Sequence, residues 1–161
     1  MRFFSEPSIR VLLVCTANIC RSPMAEGLMR LKLEQRDMLR KTSVHSAGTH
    51  AFQPGRPADP RAKKVCSREG IDLRKCRARQ ITDQDFEKYD HILALDGKNY
   101  RWLLDACPEL YRDKVSLLGS WSEEARNADI PDPYYGNLAG FEAVFSMLNE
   151  PINEFVTHLT D

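Results

Sequence analysis

Hydrophobic residues fall into two alternating patterns along the chain, short apolar runs and stripes spaced three or four residues apart. The segment Ile9 to Val14 carries the run Val11-Leu12-Leu13-Val14, as expected of a strand covered on both faces of a parallel sheet. Ser22-Pro23 reads as an N-cap followed by proline at the first helical position, and Met24, Leu28, Leu31 and Met38 mark the apolar face of a helix reaching Arg40. Thr42 to Ala47 is predicted as a second strand, followed by a loop rich in Gly48, Pro54, Gly55 and Pro57. A helix over Asp59 to Glu69 comes next, stopped by Gly70. Thr82 caps a short helix containing Phe86, His91 to Leu95 gives a third strand, Asp96 opens a helix through Leu104, and Lys114 to Leu118 supplies a fourth strand. Ser122 to Gly136 reads as loop. Phe141, Val144, Phe145, Leu148, Ile152, Phe155 and Leu159 then mark a final helix, bent at Pro151. This alternation implies a three-layer α/β sandwich with right-handed crossovers.

The chain's 161 residues suit one domain spanning 1–161, with a core large enough to need neither disulfide nor metal. Twenty-three basic residues balance 23 acidic ones, so no global field draws the chain to nucleic acid or to an acidic membrane, and any anion must be bound locally. Arg2, Phe3, Phe4 and Ser5 do not build a signal peptide, and no apolar run is long enough to span a bilayer. Five cysteines without secretory context suggest reduced thiols in the cytoplasm. His45, His50, His91 and His158 show no zinc-ligand spacing to the cysteines, so no metal is expected. Trp102 and Trp121 are expected to be partly buried packing residues, and Lys63-Lys64 and Arg74-Lys75 to be solvated faces able to steer acidic phosphopeptides.

The chemistry begins at the first strand-to-helix turn, Val14-Cys15-Thr16-Ala17-Asn18-Ile19-Cys20-Arg21-Ser22-Pro23. A cysteine followed six residues later by arginine is a weak pattern; five Cys and 15 Arg would produce about 0.5 matches by chance. Requiring Ser or Thr next lowers that to about 0.05, and the strand-to-helix setting lowers it again. Backbone N–H groups curling into a helix N-terminus form an anion nest, to which a guanidinium adds a bidentate fork. The same field favours a thiolate, so Cys15 is expected to have a depressed pKa and to act as a nucleophile. Asn18 is the loop residue most tolerant of positive φ and is assigned the bend. A second constellation, Pro131-Asp132-Pro133-Tyr134-Tyr135-Gly136, holds a carboxylate between two prolines beside aromatic rings, whose desolvation would raise its pKa as a general acid requires.

These two segments together resemble those of the low-molecular-weight protein tyrosine phosphatases, and Ser46-Ala47-Gly48-Thr49 and Ala78-Arg79-Gln80-Ile81-Thr82 are similar to further segments of that family. The resemblance covers nearly the whole chain. It implies a four-stranded parallel sheet in the order 2-1-3-4, with a phosphate loop at the turn from strand 1 to helix 1. Carried over by position, Cys15 is the nucleophile, Arg21 binds phosphate and the transition state, Ser22 steadies the thiolate, and Asp132 is the general acid. The loop positions Thr16, Ala17, Asn18, Ile19 and Cys20 would cradle the phosphate, and Phe52, Tyr134 and Tyr135 would line the substrate slot. Cys20 would also be a redox partner that protects Cys15 by a disulfide. No cofactor is implied. The partners implied are phosphotyrosine proteins or small aryl phosphates, met as a monomer or weak dimer. Two positions depart from the family's usual pattern. Ala17 replaces a frequent glycine, and Cys76 stands where a histidine commonly supports the loop asparagine, leaving open how Asn18 is held.

Three rival readings use the same cradle. An arsenate reductase would add redox cysteines, for which Cys66 and Cys76 are the candidates, but would not need the Asp132 segment. A phosphoarginine phosphatase typically carries Thr at the position of Ile19. A non-catalytic phosphotyrosine-binding module would bind tightly without turnover, against which the complete set of Cys15, Arg21 and Asp132 argues.

Overall fold

Side chains alternate along a strand, so an unbroken apolar strand needs cover on both faces. The first strand meets this condition: Val11, Leu13 and Cys15 enter one buried cluster, and Leu12 and Val14 enter another. The computed structural model describes residues 6–124 and 128–161, so Arg2 to Ser5 and the middle of the 122–136 loop lie outside the described residues. In chain order the elements are β1 (Ile9–Cys15), α1 (Arg21–Gln35), β2 (Thr42–Gly48), α2 (Pro60–Arg68), α3 (Asp83–Lys88), β3 (His91–Ala94), α4 (Gly97–Ala106), β4 (Val115–Leu117) and α5 (Leu138–Thr160). All strand pairs are parallel, in the order β2-β1-β3-β4, the sheet implied by the sequence. The chain leaves β1 first toward β2 and later toward β3. That makes the carboxyl end of β1 a topological switch point, where open α/β sheets bind ligands.

One face of the sheet is covered by α1, α2 and α5, whose Met24, Leu28, Val65, Phe141, Leu148 and Phe155 are buried with Val11 and Leu13. The other is covered by α3 and α4, through Phe86 and Leu103. Among the described residues, no helix is long and apolar enough to cross a membrane.

Both ends of the first helix differ from expectation. Cys20, not Ser22, is its N-cap, and Pro23 falls in the first turn, where its missing N–H costs no intrahelical bond. The Cys20 side chain makes no capping bond, so the first-turn amides are not consumed by a side chain, and Ser22 is free for another task. The helix ends at Gln35 rather than near Arg40. Asp37 turns left-handed (φ 56°), its N–H donates to Glu34 O at 3.1 Å, and the Met38 N–H donates to Leu33 O at 2.8 Å. This is a Schellman closure, in which Met38 folds back onto the core and so continues the apolar stripe after the helix has stopped. The other expected boundaries hold to within a few residues. Asp59, Thr82 and Asp96 cap α2, α3 and α4, Gly70 adopts φ 73°, and α5 runs unbroken through the buried Pro151.

Candidate active site

From Cys15 to Arg21 the chain makes a tight loop without glycine, and Asn18 takes the positive φ, at 61°. The end of β2 clasps this loop. The N–H of Thr49 donates to Cys15 O and that of His50 to Thr16 O, both at 2.9 Å. Gly48 must be glycine for steric reasons, since a Cβ there would stand 2.5 Å from the Thr16 carbonyl oxygen.

A chain of hydrogen bonds fixes the loop from inside. The Arg79 backbone N–H donates to Asn18 Oδ1 at 3.0 Å, which orients the amide so that Nδ2 donates to Ser22 Oγ at 2.7 Å and to Ser46 Oγ at 3.0 Å. The Ser22 oxygen that accepts from Asn18 also lies 3.0 Å from Cys15 Sγ, within reach for its hydroxyl to donate to a thiolate there. Asn18 is therefore held by Ser22, Ser46 and Arg79, and Cys76 stands one step behind. Its thiol donates to Glu26 Oε2 at 3.2 Å, and the same carboxylate is bonded by Ser46. Burial raises the Glu26 carboxyl above its ordinary value, and the Arg30, Cys76 and Ser46 contacts offset this only in part.

Arg21 opens α1 and is 3% exposed. Its Nη1 donates to Asp96 Oδ2 at 2.6 Å and to Ile130 O at 2.9 Å, and its Nη2 lies 3.4 Å from Thr16 Oγ1. Burial disfavours its charge, but the neighbouring Cys15, Asp96 and Asp132 more than restore it. Asp96 does double duty, because its Oδ1 caps α4 by accepting the Asn99 N–H at 2.7 Å. The guanidinium is thus braced chiefly through Nη1, while Nη2 makes only the long contact to Thr16.

Above the loop lies a cleft of about 310 Å³, into which the residues from Cys15 to Arg21 are brought together with Phe52, Asp132, Tyr134 and Tyr135. Ser22 reaches it only through Cys15. Phe52 and Tyr135 are exposed, and Tyr134 is half-buried with its ring edge-on to that of Tyr135 at 5.0 Å. Asp132 is exposed at the mouth, so the protein's own rings do not wrap it as expected; its Oδ1 accepts the Tyr134 N–H at 3.1 Å in a local turn.

The sequence does not reveal two residues that line the cleft or the ion pair that fastens the Asp132 loop. Gln53 and Arg56 line the cleft as well. Asp59 grips Arg61 through Nε and Nη2, both at 3.0 Å, and Arg61 in turn donates to the carbonyls of Tyr134 at 2.9 Å and Gly136 at 3.0 Å. Arg61 also stacks on the Phe141 ring at 4.4 Å, which fastens the Asp132 loop to α2 and α5. Burial would raise the Asp59 carboxyl, but the Arg61 contacts overcome this and hold it below its ordinary value. The Cys20 thiol is pushed up by burial, and by the nearby Asp59 and Cys15 charges, so it remains protonated.

A doubly covered parallel sheet, with a cysteine in an anion-binding loop at its switch point and an arginine at the loop's end, defines a class of phosphate-handling enzyme. Residues 10–161 match the family described as low molecular weight phosphotyrosine protein phosphatase. The human low molecular weight phosphotyrosine protein phosphatase is 39% identical over 137 residues, 84% of this chain and 85% of the human one. The crystal structure of a protein tyrosine phosphatase from Entamoeba histolytica with Hepes in its active site is 35% identical, with a TM-score of 0.90 and coverage of 95% and 97% of the two chains. The YwlE arginine phosphatase, in a Cys-to-Ser mutant with a phosphorylated active-site serine, is 27% identical with a TM-score of 0.86, over 95% and 97% of the chains. The chain belongs to the low molecular weight phosphotyrosine protein phosphatase family, and it is a hydrolase, a protein-tyrosine phosphatase.

Proposed function

We propose that this phosphatase, a single domain over 1–161, cleaves phosphotyrosine monoesters through a phosphocysteine intermediate on Cys15. The observation that carries the assignment is the hydrogen bond between Ser22 Oγ and Cys15 Sγ at 3.0 Å, made inside a loop that ends in the braced Arg21. The backbone N–H groups of Thr16, Ala17, Asn18, Ile19, Cys20 and Arg21, with the Arg21 guanidinium, hold the equatorial oxygens of the phosphoryl group. The Cys15 thiolate attacks phosphorus in line, and the phosphorus–oxygen bond to tyrosine breaks as Asp132 gives its proton to the departing phenolate, whose conjugate acid has a pKa near 10. The substrate ring, seated between Phe52 and Tyr134, supplies Asp132 with the apolar cover that the protein's own rings do not. Asp132 then takes a proton from water, which attacks the phosphocysteine and releases phosphate and the thiolate. Substrates are phosphotyrosine proteins or small aryl phosphates, met in the cytoplasm by a monomer or weak dimer.

Acid-quenched enzyme mixed with radiolabelled phosphotyrosine peptide should carry label on Cys15, and turnover should resist EDTA. Labelling of another residue would overturn the assignment. Cys66 and Cys76 suit arsenate reduction poorly, because burial pushes both thiols up to about 12. The YwlE likeness favours examining phosphoarginine as a second substrate. The apolar Ile19 favours the aryl ester, so wild type should prefer phosphotyrosine and Ile19→Thr should narrow the ratio of kcat/KM values. An unchanged ratio would mean that Ile19 does not set the choice.

A further inference from the structure

Phe52 is 77% exposed, a large apolar ring in water that core packing does not account for. It lines the catalytic cleft and stacks on His50, which does not line it, with centroids 6.2 Å apart and an interplanar angle of 27°. The His50 ring meets Trp102 of α4 edge-on at 5.7 Å. Its Nδ1 lies 3.0 Å from Thr49 Oγ1, and Thr49 is 3% exposed, so a buried anchor sets the orientation of the middle ring. Trp102 is partly buried and packs against the core cluster that contains Leu103. The three rings thus form a row that starts at the substrate slot and leads outward over the surface toward α4.

We infer that Phe52, His50 and Trp102 form a subsite for an aromatic or large aliphatic side chain next to the phosphotyrosine of a peptide substrate. The inference rests on the proposed phosphotyrosine specificity and deepens it. In an extended peptide each residue advances about 3.3 Å, so a side chain one or two positions from the phosphotyrosine reaches the His50–Trp102 end of the row when the phosphotyrosine ring sits beside Phe52. The row is held in place before binding, so ordering costs little, and an aromatic contact of this kind contributes about twofold to tenfold in affinity. A small aryl phosphate fills the slot and stops short of His50 and Trp102.

The test compares phosphotyrosyl peptides that differ at one position, carrying Trp, Leu, Gly or Asp at each of the two places on either side of the phosphotyrosine, with p-nitrophenyl phosphate as the short substrate. Wild type should give kcat/KM about threefold to tenfold higher for Trp or Leu than for Gly at one of these places. Trp102→Ala and His50→Ala should each bring that ratio close to one, and His50→Phe, which keeps a ring, should retain it. The value for p-nitrophenyl phosphate should move less than twofold in all three. Should Trp102→Ala misfold, the surface substitution His50→Ala carries the same comparison. No preference in wild type, a preference that survives both alanine variants, or an equal loss on the short substrate would each overturn the subsite. Absence of turnover of every phosphotyrosine substrate by wild type would instead overturn the reading on which it rests.

Discussion

Two loops meet in the cleft, and they are built in opposite ways. The Cys15 to Arg21 loop is buried and braced from several directions, by Ser22, Ser46 and Arg79 around Asn18, by Asp96 and Ile130 on Arg21, and by the Gly48 backbone pressed against Thr16. The loop bearing Asp132 is exposed, and the arginine that fastens it reaches two of its carbonyls from another element. The first arrangement suits a site that must meet a phosphoryl dianion without reorganising, because fixed donors stabilise developing charge without rearrangement during the reaction. The second suits a group that must exchange protons with a leaving oxygen and later with water, which requires access. The division of labour should therefore show as different kinds of loss when each loop is damaged.

Removing the proposed nucleophile should have the largest effect. Cys15→Ser should lower turnover on the order of 10⁴-fold or more, yet phosphate or vanadate should still bind because Arg21 and the loop amides remain. Residual activity within tenfold of wild type would remove Cys15 from its role.

Next comes the exposed loop. Asp132→Ala should cost on the order of 10²–10⁴ in kcat with phosphotyrosine and far less with p-nitrophenyl phosphate, whose leaving group hardly needs a proton. Equal losses on both substrates would mean that Asp132 is not the acid. Arg61→Ala sharpens the contrast between the loops, because it frees the Tyr134 and Gly136 carbonyls without touching Arg21 itself, whose one bond to this loop is at Ile130, before Asp132. It should lower kcat with phosphotyrosine about tenfold through misplacement of Asp132, with phosphate affinity unchanged. A fall in phosphate affinity instead would show that loosening the Asp132 loop reaches Arg21 through Ile130.

The two loops also differed in how far they could be read from sequence. The buried loop was legible because its determinants are local: a strand run, a cysteine, an arginine six residues on, and one residue suited to φ 61°. Its supports were legible only in part. Asp96 was read as a helix cap, and its second role, the bond to Arg21, joins residues 75 positions apart, which no periodicity records. The same holds for Arg61 and the Asp132 loop, 73 and 75 positions away. The exposed loop was legible in its prolines and rings, but the expected wrapping of Asp132 was not found, since ring direction is set by tertiary contacts. Helix ends were misread where a side chain served two patterns. Met38 continues the apolar stripe of α1, yet reaches the core only after Asp37 has reversed the chain, and Ser22 resembles a cap but spends its hydroxyl on Cys15.

The smallest effect on initial rate should come from Cys20, and it tests whether the buried loop protects itself. Peroxide converts an accessible thiolate to a sulfenic acid, which a neighbouring thiol can capture as a disulfide before further oxidation destroys it. Cys20 is five residues from Cys15 in the same curled loop, and both are free and buried. Its thiol is held protonated by burial and by the charges of Asp59 and Cys15. That leaves Cys20 out of competition for the substrate phosphoryl group; once Cys15 is a neutral sulfenic acid its charge no longer acts, but burial and Asp59 still make capture slower than for an ordinary thiol. Protection should therefore be incomplete: after a peroxide pulse, thiol reductant should restore most but not all wild-type activity, and a Cys15–Cys20 linked peptide should appear in non-reducing mass spectrometry. Cys20→Ser should keep its starting activity to within about threefold, because a hydroxyl replaces a thiol of similar size at a helix cap that makes no side-chain bond. It should recover severalfold less activity than wild type after the same pulse. Equal recovery by the two proteins would make Cys20 a packing residue. Cys76 is a poor substitute as the resolving thiol, since burial and the bond to Glu26 also keep it protonated.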